Sequence, residues 1–276
     1  MLWFGIALVL VAVILFFVSR GSTSKVFHMK ATDTSRVGAL EKLVAEVAAD
    51  MPDGLATGYR DYVEVKGKIV CDEPLRGELS DKLGAIMETQ VVRVFERREE
   101  RRDPQGNVRT EWHKGEETVS QNRRESPFWI DDGSGRLRVK TTNKGIDLEK
   151  VVERFESANT VESGFGGNLT LSFGRFQLGL GGGGYGASSR TLGYKFIERM
   201  LPIGKSVYAI GEAAHLEDEG LVLRAPTEAD KKKPFMISLK TEEDLVHASE
   251  KSAMIMKVVA VILALAGVVL MGMSAR

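Results

Sequence analysis

The two ends of the chain constrain its fold more than any other part of the sequence. Residues 1–18, MLWFGIALVLVAVILFFV, contain no charged side chain. As an α-helix they would extend about 27 Å, close to the hydrocarbon thickness of a bilayer. Residues 254–273, MIMKVVAVILALAGVVLMGM, contain one charge, Lys257, near enough to the start of the run to extend its ammonium into the interface. The sequence therefore predicts two transmembrane helices, at residues 1–19 and 251–276.

Each apolar run has an alternative interpretation. A cleaved signal peptide has a basic segment before its apolar run and a small-x-small cleavage site after it, whereas here no Lys or Arg precedes Leu2 and Ser19-Arg20 follows directly. A helix buried in a soluble core would be shorter than the second run and would carry a polar face. We therefore expect two permanent anchors, with the lipid bilayer as one partner of the chain.

Two spans place both termini on one side of the membrane and the intervening residues on the other. Basic residues flanking the spans are more numerous on the domain side, and such an excess marks the cytoplasmic side. The domain side has Arg20, Lys25, Lys30, Lys251 and Lys257, and the terminal side has Arg276. The sequence thus predicts a cytoplasmic domain with both termini on the opposite side.

Composition excludes several classes of site. Lys plus Arg (38) equals Asp plus Glu (38), so no net positive charge attracts nucleic acid, and no nucleic-acid partner is expected. A single cysteine, Cys71, excludes an internal disulfide and any zinc site built from paired cysteines, and the four histidines are widely separated. We predict no catalytic, cofactor-binding or metal-binding residue and no cofactor.

Two glycine motifs suggest nucleotide binding and fail on context. Gly204-Lys205-Ser206 matches the last three residues of a P-loop. The motif also requires a glycine five positions before Gly204, where this sequence has Arg199, and a helix after it, where this sequence has VYAIG. We predict a β-turn at 202–204 instead. Residues 179–184 match the dinucleotide-binding spacing G-x-G-x-x-G, but they do not lie between a predicted strand and a predicted helix, as that motif requires.

Two further candidates for chemistry have ordinary explanations. Asp131 and Asp132 are adjacent, so they point to opposite faces of a strand or belong to the turn before Gly133. Cys71 alternates with core positions of the run YVEVKGKIVC, which predicts a buried, unreactive thiol. The same alternation places Glu64 on the solvent face.

The central region predicts an α+β fold, a mainly antiparallel β domain with two or three helices. Residues 20–52 form a helical juxtamembrane segment, with Thr34 or Ser35 as the helix cap and Pro52 near its end. Residues 53–250 form the β-rich domain, interrupted by a glycine-rich insertion at 158–190. Long hairpins are predicted around 103–107 and over 128–141, a short one at LTLSFGRFQL, strands on both sides of 202–204, and two more at GLVLRAP and FMISL. A helix is predicted from Asp147, with Leu148, Val151, Val152 and Phe155 on its apolar face, and another from Thr241 into the second span.

The order of these segments resembles the GIDE family. The resemblance rests on YVEVKGKI, SPFWIDDGSGRLRV, VERFE, YKFIERMLPIGKSVYAIG, GLVLRAP and FMISLKTEEDL before a second span, and it covers residues 55–276 apart from the insertion. Family members are membrane ubiquitin ligases of the mitochondrial and chloroplast envelopes, with prokaryotic relatives. In them a "beside a membrane" (BAM) domain engages a substrate or partner, and a RING finger follows the second span.

The resemblance implies a recognition domain without its catalytic partner. A RING needs about eight Cys and His ligands for two zinc ions, and this sequence has one Cys and ends three residues after Met273. We expect a membrane-anchored, non-enzymatic binding or scaffold module whose partner is another membrane or envelope protein, or a second copy of the chain. The alternative is an E3 ubiquitin ligase-like protein, or a subunit that works with a separate catalytic chain.

Overall fold

A computed structural model describes residues 2–50, 58–102, 108–142, 144–158, 162–163, 169–173, 176–180, 189–227 and 233–274. These residues form three helices and fourteen strands. The helices are α1 (Leu2–Ala31), α2 (Val37–Asp50) and α3 (Glu242–Ser274). The strands are β1 (Arg60–Val70), β2 (Leu75–Arg76), β3 (Leu83–Arg102), β4 (Val108–Glu125), β5 (Trp129–Asp131), β6 (Arg136–Val139), β7 (Glu149–Ser157), β8 (Glu162–Ser163), β9 (Leu169–Phe173), β10 (Phe176–Leu180), β11 (Ser189–Pro202), β12 (Ser206–Leu216), β13 (Gly220–Arg224) and β14 (Met236–Ser238). The predicted α+β class, mainly antiparallel with helices at both ends, is confirmed.

The chain divides into two units, each built from separate stretches of sequence. The first contains residues 1–68, 129–147 and 206–276, and the second contains residues 69–128 and 148–205. The first unit therefore holds the helices and one sheet, and the second holds the long charged hairpin and the glycine-rich region.

The sheet of the first unit closes on itself. Its strands follow the order β1-β5-β6-β13-β12, and β12 pairs back to β1 in antiparallel register from Arg60↔Ala214 to Lys68↔Ser206. β6 and β13 pair in parallel, and β14 pairs with β12 on the same side as β13. A five-stranded ring with this order and one parallel pair has the topology of an OB-fold barrel. Its buried residues include Val65, Ile130, Leu137, Ala209 and Leu223.

The second unit is an open antiparallel sheet. β4, β3, β11 and β7 lie side by side, with β2 paired to the start of β3. The hairpin of β3 and β4 confirms the strands predicted on either side of 103–107, a turn that lies outside the described residues. β9 and β10 form the short hairpin predicted in the glycine-rich insertion, with β8 beside β9.

β7 replaces the helix predicted from Asp147, and this prediction was wrong. The spacing of Val151, Val152 and Phe155 fits a helix, but these residue types also favour strands. β11 provides a long row of backbone partners, from Gly193↔Ser157 to Met200↔Glu149. Pairing satisfies the backbone groups of both segments, which outweighs the local helical periodicity.

The N-terminus of α2 is capped from another part of the chain. Val37 N–H donates to Asp132 Oδ2 at 2.9 Å, and Gly38 N–H donates to Ser134 Oγ at 2.9 Å. The caps predicted at Thr34 or Ser35 are not used. The cap predicted for α3 is confirmed, because Asp244 N–H donates to Thr241 Oγ1 at 3.2 Å.

α1 and α3 pack against each other in opposite directions along a seam of small residues. A Cβ added to Gly267 would lie 2.8 Å from the Gly5 carbonyl oxygen. At the other end, Lys30 Nζ lies 2.7 Å from Glu250 Oε1. Buried positions recur every seven residues on both helices, as in an antiparallel coiled coil. They are Gly5, Ala12, Ser19 and Val26 on α1, and Val246, Ala253, Ala260 and Gly267 on α3.

The faces away from this seam are exposed and apolar. Large side chains such as Phe17, Ile14, Ile262 and Leu265 are about half to two-thirds exposed, at 64%, 61%, 59% and 63%. Both helices are long and apolar enough to cross a membrane, judged by length and composition. At about 1.5 Å per residue both exceed the roughly 30 Å of hydrocarbon in a bilayer, so each has residues left over to contact the barrel.

Candidate functional site

Helix pair and barrel meet at a buried carboxylate, Glu64, in the middle of β1. Three consecutive residues of this strand, Val63, Glu64 and Val65, are each at most 1% exposed. Both faces of the strand are therefore covered, whereas the alternating sequence predicted an exposed Glu64, and that prediction was wrong. The segment after α1 covers the second face: Ser35 N–H donates to the Glu64 carbonyl at 2.7 Å, and Thr34 Oγ1 donates to Glu64 Oε1 at 2.5 Å.

Lys66 connects this carboxylate to the start of α3. Its Nζ lies 3.0 Å from Glu64 Oε1 and 2.8 Å from Glu242 Oε2. The hydrogen bond to Glu242 raises the pKa of Lys66, and the bond to Glu64 adds to this effect against the opposing cost of desolvation. Lys66 is therefore charged at neutral pH and neutralises a carboxylate that would otherwise be buried at a large cost.

Tyr208, on β12, completes the group from the neighbouring strand. Its side chain is 2% exposed, and Lys66 Nζ lies 5.8 Å from the centre of its ring. Burial, followed by the close approach of the Glu64 carboxylate, raises the pKa of the Tyr208 hydroxyl. Tyr208 Oη and Glu64 Oε2 are both buried, and neither has a hydrogen-bond partner among the described residues.

Tyr62 lies on the same strand as Glu64 and faces α1. Its hydroxyl donates to the Pro234 carbonyl at 2.6 Å, and its ring centre lies 6.2 Å from that of His28. Burial raises the pKa of Tyr62 as well. Raised pKa values keep both phenols protonated near neutral pH, so neither is a nucleophile. The Tyr62 hydroxyl uses its hydrogen in the bond to Pro234, whereas the Tyr208 hydroxyl retains one that no described residue accepts.

Apolar packing joins the same three elements. Val26 and Met29 of α1, Val246 of α3, and Tyr208 and Ile210 of β12 form one buried cluster. Val26 and Val246 are also the last pair of the helix seam. The seam between the two helices therefore continues into the wall of the barrel.

A cleft of about 270 Å³ opens beside this group. It is bordered by Lys66, Tyr208, the first residues of β12 and the stretch 239–243 that leads into α3. No group of three metal-ligating side chains occurs in the parts of the chain that the structure describes. The functional groups at this site are one buried carboxylate, an ammonium group and phenolic hydroxyls. This combination suits a structural contact between the helices and the barrel, or the binding of a polar group.

Of the residues singled out in the sequence, Ser206 borders this cleft, whereas Gly204, Asp131 and Asp132 are not among its described lining residues. Gly204 has a φ of 73° in the turn between β11 and β12, and its N–H donates to the Ile69 carbonyl at 2.8 Å, which confirms the predicted turn. Asp131 contacts Arg136 at 3.3 Å, and Asp132 caps α2, so each carboxylate has a structural partner.

Cys71 departs from its prediction. It follows the last residue of β1 and is only partly buried, so the expected core position was wrong. Its Sγ donates to the Pro127 carbonyl at 3.4 Å.

Comparison with known proteins identifies relatives of the chain. A family model described as GIDE, E3 Ubiquitin ligase, matches residues 96–271, more than half of the chain. The chain is similar to E3 ubiquitin-protein ligase SPL1 of Arabidopsis thaliana, with 26% identity over 153 residues, or 55% of this chain and 38% of the relative. The chain thus spans well under half the length of that relative. No solved structure matches it.

Proposed function

Because the chain belongs to the GIDE family, we propose that it is a membrane-anchored binding module whose two transmembrane helices hold the β-rich domain beside the bilayer. The observation that carries this proposal is the helix pair itself. Its outer faces are apolar and exposed, and its inner seam continues into the cluster that contacts β12. Lipid is the environment in which such outer faces are stable.

The proposed anchor is rigid rather than a flexible tether. Lys66 bridges β1 and α3, Lys30 bridges α1 and α3, and Val26 and Val246 pack on the barrel. In this arrangement the membrane fixes the height and orientation of the barrel. A partner embedded in the same membrane, or a second copy of the chain, then meets the barrel at a defined distance from the lipid.

The orientation that we propose places the barrel in the cytoplasm. The supporting observation is the excess of basic residues on the domain side of the apolar runs, where Lys25 and Lys251 are both exposed on their helices. Both termini then lie on the opposite side of the membrane.

Membrane extraction tests the anchor directly. The full chain is expressed in a bacterial host, and isolated membranes are washed with alkaline carbonate and then with detergent. We expect the chain to resist carbonate, to enter detergent, and to float with liposomes after reconstitution. Release of most of the chain by carbonate alone would refute membrane insertion.

Ubiquitin transfer is the second candidate function, and the family description favours it because it names an E3 ubiquitin ligase. Within these 276 residues one cysteine and four histidines occur, fewer than the roughly eight ligands of a RING. We propose that these 276 residues contribute recognition and that any transfer activity requires zinc ligands from outside them. The test is discharge of a ubiquitin-loaded conjugating enzyme by the detergent-solubilised chain, together with its zinc content. Zinc-dependent discharge by the chain alone would overturn the binding-module proposal.

A further inference from the structure

A second cleft in the barrel unit has a distinctly basic lining. It encloses about 500 Å³, and three lysines reach it from three separate stretches of chain: Lys25 on α1, Lys144 after β6 and Lys233 before β14. Asp147 is the one carboxylate among its described lining residues. Asp147 Oδ2 accepts a hydrogen bond from Ser238 Oγ at 2.6 Å. Because three lysines face this single carboxylate, the described lining carries an excess of positive charge.

The backbone around this cleft is tightly fixed. Ile237 N–H donates to the Gly145 carbonyl at 2.7 Å, and Asp147 N–H donates to the Ile237 carbonyl at 2.8 Å. Gly145 has a φ of 84°, and a Cβ at this position would lie 2.3 Å from the Phe235 carbonyl oxygen. The stretches that carry Lys144 and Lys233 are therefore held side by side by contacts that only glycine permits.

Two of the three lysines form no ion pair with any residue that the structure describes. Lys30, Lys66 and Lys140 in the same unit each form an ion pair with a glutamate. Lys25 and Lys144 form none with the described residues. Lys233 lies over the ring of Tyr62, with Nζ 5.2 Å from the ring centre. A cleft with several cations and little counter-charge attracts an anion that can contact them together.

The position of Lys25 places the cleft near the bilayer surface, if the helices span the membrane as proposed above. Lys25 follows Val18, the last residue of the apolar run, by seven positions, or about 10 Å along α1. Headgroup layers are roughly 5 to 7 Å thick on each side of the hydrocarbon. A lysine side chain at this height reaches back to the phosphates of the lipid.

We propose that this cleft binds the phosphate group of an anionic phospholipid from the membrane in which the chain is anchored. Lysine ammonium groups are point charges that suit a phosphate with several exposed oxygens. Pro226, Pro234 and Phe235 form an apolar wall beside the lysines, which suits the glycerol and upper acyl region of a lipid better than a free ion. Inorganic phosphate is the other source of the same chemistry, and the test separates the two.

The test uses the full chain, purified in detergent, and a triple variant, Lys25→Gln with Lys144→Gln and Lys233→Gln. The matched control replaces three exposed lysines that line neither cleft: Lys42→Gln with Lys68→Gln and Lys82→Gln. Native mass spectrometry counts the phosphatidic acid and phosphatidylcholine molecules retained by each protein. Thermal unfolding with and without inorganic phosphate reports binding of the free ion, and circular dichroism verifies the fold of each variant.

We expect the wild type and the control to retain phosphatidic acid in preference to phosphatidylcholine. The triple variant should bind phosphatidic acid at least about tenfold more weakly, because each lysine near an anionic surface contributes about as much to the binding free energy as one charge pair. Equal retention by the triple variant refutes the site. Stabilisation by inorganic phosphate without retention of phosphatidic acid refutes the lipid as ligand.

Liposome flotation keeps this result separate from the anchoring proposal. A wild-type chain that floats but retains no anionic lipid disproves the cleft alone. A chain that fails to float disproves the anchor.

Discussion

The seam between α1 and α3 predicts that a single methyl group at Gly267 separates the helices. The added Cβ of Gly267→Ala would lie 2.8 Å from the Gly5 carbonyl oxygen and 2.8 Å from Val9 Cγ2. One of these neighbours is backbone and cannot rotate away. Overpacking of this kind costs about 1 to 3 kcal/mol. Replacing glycine by alanine within a helix also stabilises it by up to about 1 kcal/mol, so the seam must be measured against a control that shares this gain.

Gly21→Ala provides that control. Gly21 lies on α1, and an added Cβ there meets nothing within 4 Å. Because the helix-propensity gain is common to both variants, the difference between them isolates the steric contact. Gly272→Ala, which is equally open, is a second control on α3.

The assay is thermal unfolding of the detergent-solubilised chain, followed by helical circular dichroism. A difference of about 1 to 3 kcal/mol corresponds to a gap of roughly 2 to 10 °C for a chain of this size. We expect Gly267→Ala to melt below wild type and both controls to melt at or above it. Equal melting temperatures for Gly267→Ala and Gly21→Ala would show that the helices do not approach each other at this seam.

Three further perturbations test the barrel and its orientation. Asp132→Ala removes the cap of α2 and should destabilise the chain by about 1 kcal/mol at pH 7, relative to the exposed control Lys42→Ala. Burial disfavours the charged form of Asp132, but hydrogen bonds from Ser134, Val37 and Gly135 outweigh burial and lower its pKa. The stabilisation by the cap is therefore present above the ordinary pKa of an aspartate and disappears as the pH falls through the lower pKa of the folded state. A destabilisation by Asp132→Ala that persists in strong acid would contradict the mechanism. Glu64→Gln should lower the free energy of unfolding, measured by chemical denaturation, by about 1 to 3 kcal/mol. Adding Lys66→Met should recover part of that stability, because the two side chains are coupled, and strictly additive losses would exclude the coupling. For orientation, Thr110→Cys in a Cys71→Ser background should be protected from an impermeant maleimide in intact cells and labelled after lysis, and prompt labelling before lysis would reverse the proposed topology.

The sequence was most informative where residues act through their immediate neighbours. The long β3–β4 hairpin, the turn at Gly204 and the cap at Thr241 were all predicted from local composition. The order of the segments also predicted the family. The prediction for β7 was wrong because the spacing of its apolar residues fits a helix as well as a strand. Pairing with the edge of β11 makes it a strand, and the local sequence does not reveal that partner.

The candidate site could not be predicted, because its burial depends on the arrangement of distant segments. The alternation of β1 predicts a solvent-facing Glu64. In the structure its carboxylate contacts Thr34 and Lys66, and Lys66 in turn contacts Glu242 at the start of α3. The cap of α2 by Asp132 has the same origin, since a residue 95 positions away supplies the oxygen. The heptad spacing of Gly5, Ala12 and Ser19 is visible in the sequence, but small residues in an apolar run signal a helix contact only when the matching face of α3 is considered with them.

The two long excursions of the barrel unit explain why its topology is hidden in the sequence. Residues 69–128 leave the ring between β1 and β5, and residues 148–205 leave it between β6 and β12. Without these excursions the strands of the ring would be joined by short connections in OB-fold order. Each excursion also contributes one strand to the pairing of β3 with β11, so neither can complete the second sheet by itself. The ring strands must therefore find partners across more than fifty residues of intervening chain, and we expect slow, late barrel closure during folding because contacts of high sequence separation form slowly.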